Sequence, residues 1–158
     1  RLDISFNNNG ATPNLKTNKY LIQRENNNSF ITIMPTYMSE YATEFNYLFQ
    51  QIEFAKSRGI NEHKIIIDLG IGFGKTKEHN IELLRNIDFF DTLGYPHLLA
   101  GSRKTFIGKI LEKDSPNDRL FGTIGLTCYG IMKNIEIIRV HDVQENIEAA
   151  RMFEVLKW

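Results

Sequence analysis

Short apolar runs that do not alternate with polar residues, separated by stretches of helical period, constrain this chain more than any other feature. Phe30-Ile31-Thr32-Ile33-Met34, Lys64 to Asp68 with Ile65-Ile66-Ile67 at its centre, His97-Leu98-Leu99-Ala100 and Ile135 to Val140 read as strands, and Leu2 to Phe6 as a fifth. A strand with one face in water alternates; these do not, so both faces are covered. Between them, residues 39–58 repeat Phe45, Leu48, Phe49, Ile52 and Ala55 at three- and four-residue steps and stop at Gly59. Residues 78–93 carry Ile81, Leu84, Ile87 and Phe90 on one face and stop at Gly94. Residues 106–112, 118–133 and 143–156 also read as helices. Strand, helix, strand, helix in series specifies an α/β fold, with a parallel sheet and helices outside it. The asparagine runs at 7–9 and 26–28 read as loops, with a short helix expected at 14–24.

A length of 158 residues suits one domain with a real core, and no repeat or linker divides it. The 19 basic and 19 acidic residues balance to zero net charge, which argues against a general nucleic-acid or anionic-membrane binder. The single cysteine, Cys128, excludes an internal disulfide and a cysteine-rich zinc site, and fits a reducing, cytoplasmic setting. Its apolar surroundings, Leu126 to Met132, predict a buried structural thiol. No apolar run approaches the ~18 residues of a membrane span, and the first twenty residues lack the apolar core of a signal peptide. The chain opens at Arg1, within what already reads as a strand end, so it is expected to be a piece of a longer protein.

Three polar clusters sit where apolar runs end. In parallel α/β folds ligands bind at the carboxyl ends of strands, where loops and helix N-termini meet. The first is Asp68-Leu69-Gly70-Ile71-Gly72-Phe73-Gly74-Lys75-Thr76. Its alternating glycines let the backbone turn sharply and approach a ligand, or simply make a tight turn. It lacks the spacing of a Walker loop or a dinucleotide fingerprint. The second, Ser102-Arg103-Lys104, sets two cations and a hydroxyl at a helix start, against the helix dipole. A docked anion or electron-rich ring would account for that; a solvated basic turn is the alternative. The third is Arg139-Val140-His141-Asp142. Its i, i+2 spacing points Arg139 and His141 to one side of a strand, a pairing suited to pyrophosphate. The alternative is an Arg139–Asp142 ion pair beside a core histidine. His63, His79 and His97 have no matching partners and read as surface or supporting residues.

In this order and spacing the clusters resemble dihydropteroate synthase, whose pattern has Asp-Pro-Gly-Ile-Gly-Phe-Gly-Lys-Thr at a strand end, a later Ser-Arg-Lys and a terminal Arg-Val-His-Asp. Asn80 and Leu84, Phe106-Ile107-Gly108 and Gly122-Thr123 match as well, and the likeness runs from about Ile31 to the end. The resemblance implies a (β/α)8 barrel of ~250 residues. This chain would supply roughly the last five βα units, as one partial domain over residues 1–158 without the amino-terminal strands.

The implied reaction joins 6-hydroxymethyl-7,8-dihydropterin diphosphate to p-aminobenzoate, releasing 7,8-dihydropteroate and pyrophosphate in folate biosynthesis. By resemblance Asp68 takes the guanidine-like edge of the pterin, Lys104 its carbonyl edge, and Met34 packs against it. Arg139 covers the ring and with His141 receives the pyrophosphate; Lys104, Arg139 and His141 carry the catalysis. Phe73 walls the aminobenzoate pocket and Ser102 reaches its carboxylate. Mg2+ is implied as cofactor, with ligands in the absent early loop and on the substrate pyrophosphate, and none among these residues. A homodimer and fusion to a pterin pyrophosphokinase are further family traits, as is being the target of sulfonamides. Departures from the pattern are Leu2, Pro35, Leu69 and Ala100, where the family has asparagine, histidine, proline and glycine. Without its closing loops the isolated chain is expected not to turn over. An inactive or truncated barrel fragment and a pterin-binding methyltransferase domain are the alternatives.

Overall fold

The computed structural model describes residues 3–5, 20–22, 31–34 and 41–156. Its elements are β1 (Asp3–Ser5), β2 (Tyr20–Ile22), β3 (Ile31–Ile33), α1 (Tyr41–Ser57), β4 (Ile65–Asp68), α2 (Lys77–Arg85), β5 (His97–Leu99), α3 (Thr105–Leu111), α4 (Leu120–Met132), β6 (Ile137–Arg139) and α5 (Val143–Leu156). The chain divides into two compact units: Ala11–His97, and Arg1–Gly10 together with Leu98–Trp158. The asparagine runs, Leu2 and Pro35 lie outside the described residues.

In the unit Ala11–His97, β3 and β4 are parallel with Ile33 opposite Ile67. The Ile67 amide donates to Pro96 O at 2.8 Å. Ile33, Ile65 and Ile67 are buried with Leu48, Ile52 and Ala55 of α1 and Leu83 and Leu84 of α2. Phe89 meets Phe45 and Phe90 edge-on at ring distances of 5.0 and 5.8 Å.

Two expectations fail in this unit. Tyr20–Ile22 is a strand, not part of a helix at 14–24, and it runs antiparallel to β3 with Tyr20 opposite Ile33, so the sheet is not wholly parallel. An aromatic and a β-branched residue within three favour a strand once a partner edge is available. The helix expected over 78–93 ends at Arg85, and 87–93 continues as a tighter 3-10 turn. At the break Asn86 Nδ2 donates to Glu82 O at 2.9 Å, a side chain competing with the helix ladder.

In the second unit, β1 and β5 both lie parallel to β6, with Ile4 and Leu99 opposite Ile138. Phe106 and Ile107 of α3, Ile131 of α4 and Ala150 of α5 are buried, as are Leu99 and Ile138. Gly130 allows close approach of α4: a Cβ there would stand 2.9 Å from Leu99 Cδ2. Ile135 closes α4 rather than opening β6. Its amide donates to Gly130 O, and the Asn134 amide, on a residue with φ 56°, donates to Ile131 O. That double bond pattern is a Schellman cap.

Candidate functional site

Asp68 closes β4 and is 2% exposed. Its Oδ1 accepts the Gly70 amide at 2.9 Å, which turns the chain as it leaves the strand. Gly70, Gly72 and Gly74 then have φ of 66, 80 and 60°, the left-handed region that glycine enters without a Cβ clash. Asn80, 1% exposed, ties this loop to α2. Its Oδ1 accepts the Gly72 amide at 2.7 Å and its Nδ2 donates to Thr76 O at 2.6 Å. Lys75 Nζ donates to Gly70 O at 3.3 Å. The helix cap is Thr76, whose Oγ1 accepts the His79 amide. Phe73 is half-buried on the same loop. Met34, also half-buried, follows Ile33, which faces Ile67; Met34 and Asp68 therefore leave neighbouring parallel strands at one level. Leu69, where the family pattern has proline, is buried. Asn80 was legible only as a pattern match. The physical signal is an amide in the first turn of a helix directly after a glycine-rich loop.

In the other unit, Ala100, Gly101 and Ser102 follow β5 and are buried. Ser102 Oγ accepts the His141 amide at 3.1 Å and lies 2.9 Å from His141 Nδ1. In the tautomer in which the Ser102 hydroxyl donates to Nδ1, the neutral ring carries its own proton on Nε2, facing away from Ser102. Arg103 sits at φ 57°. Its Nε donates to Asp142 Oδ2 at 3.0 Å, one terminal nitrogen donates to Asp142 Oδ1, and the other donates to Asn117 Oδ1 at 2.7 Å. The partner of Asp142 is thus Arg103, not Arg139 as the alternative reading had it. Asn146 completes the corner: Nδ2 donates to Asp142 O at 2.7 Å and Oδ1 accepts from Thr127 Oγ1 at 2.6 Å.

Arg139 is the last residue of β6 and half-buried. His141 lies in a bend beyond it, with Val140 buried between, so strand alternation does not set its direction as expected. The Ser102 bonds do. Lys104 is the N-terminal cap of α3 and half-buried, and its side chain makes no capping bond.

Electrostatics follow from this packing. The bond from Arg103 holds the Asp142 carboxyl below the usual carboxylate range, and the same bond raises the guanidinium. His141 is lowered from the ordinary imidazole value, first by partial burial and then by Arg103, with Lys104 and Arg139 acting the same way and Asp142 opposing. The imidazole thus stands beside the Arg103–Asp142 pair, with Lys104 and Arg139 near enough to disfavour its charged form.

The structure therefore gathers Ser102, Lys104, Arg139 and His141 in one unit, and Met34, Asp68 and Phe73 at the strand ends of the other. His97 is buried in β5 and His63 is exposed. Cys128 is half-buried rather than buried, and burial pushes its thiol up. Among the described residues no group of three or more His, Cys, Asp or Glu could hold a metal ion, and no helix is long and apolar enough to cross a membrane.

A family model described as pterin binding enzyme matches residues 28–141, which contain Asp68, Ser102, Lys104, Arg139 and His141. The chain belongs to this pterin-binding family. It is 45% identical over 112 residues to a dihydropteroate synthase of Clostridium beijerinckii, a match covering 70% of this chain and 41% of that protein. Among solved structures, the dihydropteroate synthase of Clostridium difficile, determined with pteroic acid present, is 43% identical with a TM-score of 0.73, covering 80% of this chain and 50% of the other. That of Thermus thermophilus, in complex with 4-aminobenzoate, is 32% identical with a TM-score of 0.74, covering 79% and 53%. The α/β fold is that of these (β/α)8 barrel enzymes, and the chain spans about half the length, or less, of the relatives it matches.

Proposed function

We propose that this chain carries the carboxy-terminal half of a dihydropteroate synthase site, acting on 6-hydroxymethyl-7,8-dihydropterin diphosphate and p-aminobenzoate. The observation that carries the reading is a cluster at the carboxyl ends of β5 and β6: Lys104 stands at the start of α3, Arg139 ends β6, and His141 is bonded to Ser102, while the Arg103 guanidinium is taken by Asp142. Such a cluster suits a pyrophosphate, which carries its charge over several oxygens and rewards forked donors.

The chemistry then divides by residue. The buried Asp68 carboxylate accepts N–H donors from the guanidine-like edge of the pterin, a charge-assisted contact that few other rings can match. Met34 packs against the ring and Phe73 walls the aminobenzoate. Arg139 and Lys104 stabilise charge that develops as the methylene C–O bond breaks and pyrophosphate leaves with the electron pair. His141, neutral and protonated on Nε2, donates a hydrogen bond to that leaving group. The aromatic amine forms the new C–N bond and loses a proton. Ser102, expected to reach the aminobenzoate carboxylate, has a second task here, since its hydroxyl orients His141.

By family likeness, magnesium enters this reading as a companion of the substrate pyrophosphate. The lone thiol and neutral net charge favour a cytoplasmic enzyme acting on small molecules. A homodimer, a fused pyrophosphokinase and sulfonamide binding belong to the same proposal by family likeness.

The test is calorimetric binding of the pterin diphosphate to a full-length protein carrying this segment, with Lys104→Ala compared. Binding at least tenfold weaker in the variant is expected, about 1.4 kcal/mol. An unchanged dissociation constant removes Lys104 from the site. The 158 residues alone are expected to form no dihydropteroate, and its detection would contradict that expectation.

A further inference from the structure

Arg119 is a buried arginine outside the three clusters, 7% exposed, in the turn before α4. Among the described residues its guanidinium meets no carboxylate and is satisfied by main-chain oxygens. Nε donates to Lys113 O at 3.2 Å, one terminal nitrogen to Asp114 O at 2.6 Å, and the other to Arg103 O at 2.9 Å. Two of those carbonyls lie just past the C-terminus of α3, where the helix leaves negative partial charge. The guanidinium rests on Gly108, where a Cβ would stand 2.5 Å from Nε. One turn further on, Thr123 is 1% exposed; its Oγ1 accepts the Arg103 amide at 3.0 Å and donates to Arg119 O at 3.0 Å.

The main chain of Arg103 is therefore gripped on both sides, at N–H by Thr123 and at C=O by Arg119. That residue has a left-handed backbone at φ 57°, a conformation that a non-glycine residue keeps only where its surroundings impose it. The conformation has a consequence. It separates the direction of the Arg103 side chain from the path into α3, so that the guanidinium closes on Asp142.

We infer that Arg119 and Thr123 are positioning residues for the anion site: they clamp the Arg103 peptide in its left-handed turn, which aims Arg103 at Asp142 and thereby fixes the place of His141. The inference rests on the pyrophosphate reading above, and deepens it by naming what sets the site's geometry. A lysine at 119 could not replace the arginine, because a compact ammonium cannot span three carbonyls lying in different directions.

The experiment uses inorganic pyrophosphate as probe and the His141 ring as reporter. His141 is followed by NMR against pH, its signal assigned by loss in His141→Gln. Thr123→Val keeps the shape and deletes the hydroxyl; Thr123→Ser restores it; Arg119→Met is the second, harsher variant. In Thr123→Val the His141 midpoint is expected to rise toward the ordinary 6.5 as Arg103 leaves its place, with pyrophosphate bound about tenfold more weakly. Thr123→Ser should keep both values. A purely structural role lowers the unfolding midpoint and moves neither reading. If wild type binds pyrophosphate and the folded Thr123→Val leaves the midpoint and the affinity unchanged, the positioning role is overturned while the anion site stands. If wild type binds no pyrophosphate yet Thr123→Val moves the His141 midpoint, the positioning role stands and the pyrophosphate reading fails.

Discussion

Arg103 is bonded through its amide, its carbonyl and its guanidinium, and Asp142 receives the guanidinium on both carboxylate oxygens. Both side chains are less than a third exposed, so the pair is only partly screened. The sign of its pH dependence follows. Asp142 titrates lower in the folded chain than its unfolded 3.8, so its contribution is fully present above that value and is lost as pH falls through the lower folded value. Unfolding free energies from urea titration of wild type and Asp142→Asn should differ at pH 7 by about 1–3 kcal/mol, and the gap should close as pH falls from 3.8 through the lower folded value. A gap that persists in acid would show that the pair contributes through shape rather than charge. Asn80 offers a second test. Asn80→Leu leaves the Gly72 amide without its acceptor and should cost about 1–3 kcal/mol in urea unfolding, whereas a loss under about 0.5 kcal/mol would mean that the loop holds itself.

Two glycines of α4 carry opposite expectations. A Cβ on Gly122 would stand 2.3 Å from Ile107 Cγ2, so this glycine marks the close approach of α3 to α4. Gly125 has nothing within 4 Å. Gly125→Ala should therefore stabilise by about 0.5–1 kcal/mol through helix propensity, and Gly122→Ala destabilise by about 1–3 kcal/mol through overpacking, both read from urea unfolding. Equal effects would deny the helix contact. Elements like α5 and β4 were legible because burial imposes a period that one sequence displays: Val143–Leu156 has the bounds the periodicity predicts. The antiparallel β2 was not, because three residues carry no period and their state depends on the edge offered by β3. The break at Asn86 was hidden for a different reason. Apolar spacing continues smoothly into Ile87 and Phe90, while the side-chain bond that ends the helix leaves no mark on periodicity.

Over the whole chain, polar residues at strand ends were readable because a parallel sheet puts its loops there, and Asp68, Ser102, Lys104, Arg139 and His141 all occupy such places. The pairing that organises them was not readable. Arg103 and Asp142 are 39 residues apart, and a much nearer arginine, Arg139, looks as plausible a partner in sequence. In the proposed reading the cations at the ends of β5 and β6 hold a diphosphate. The direct measurement is calorimetric binding of the pterin alcohol and the pterin diphosphate to Arg139→Ala and to its parent, in a full-length protein carrying this segment. A loss of at least about tenfold for the diphosphate and a markedly smaller one for the alcohol is expected. Equal losses for both ligands would contradict it.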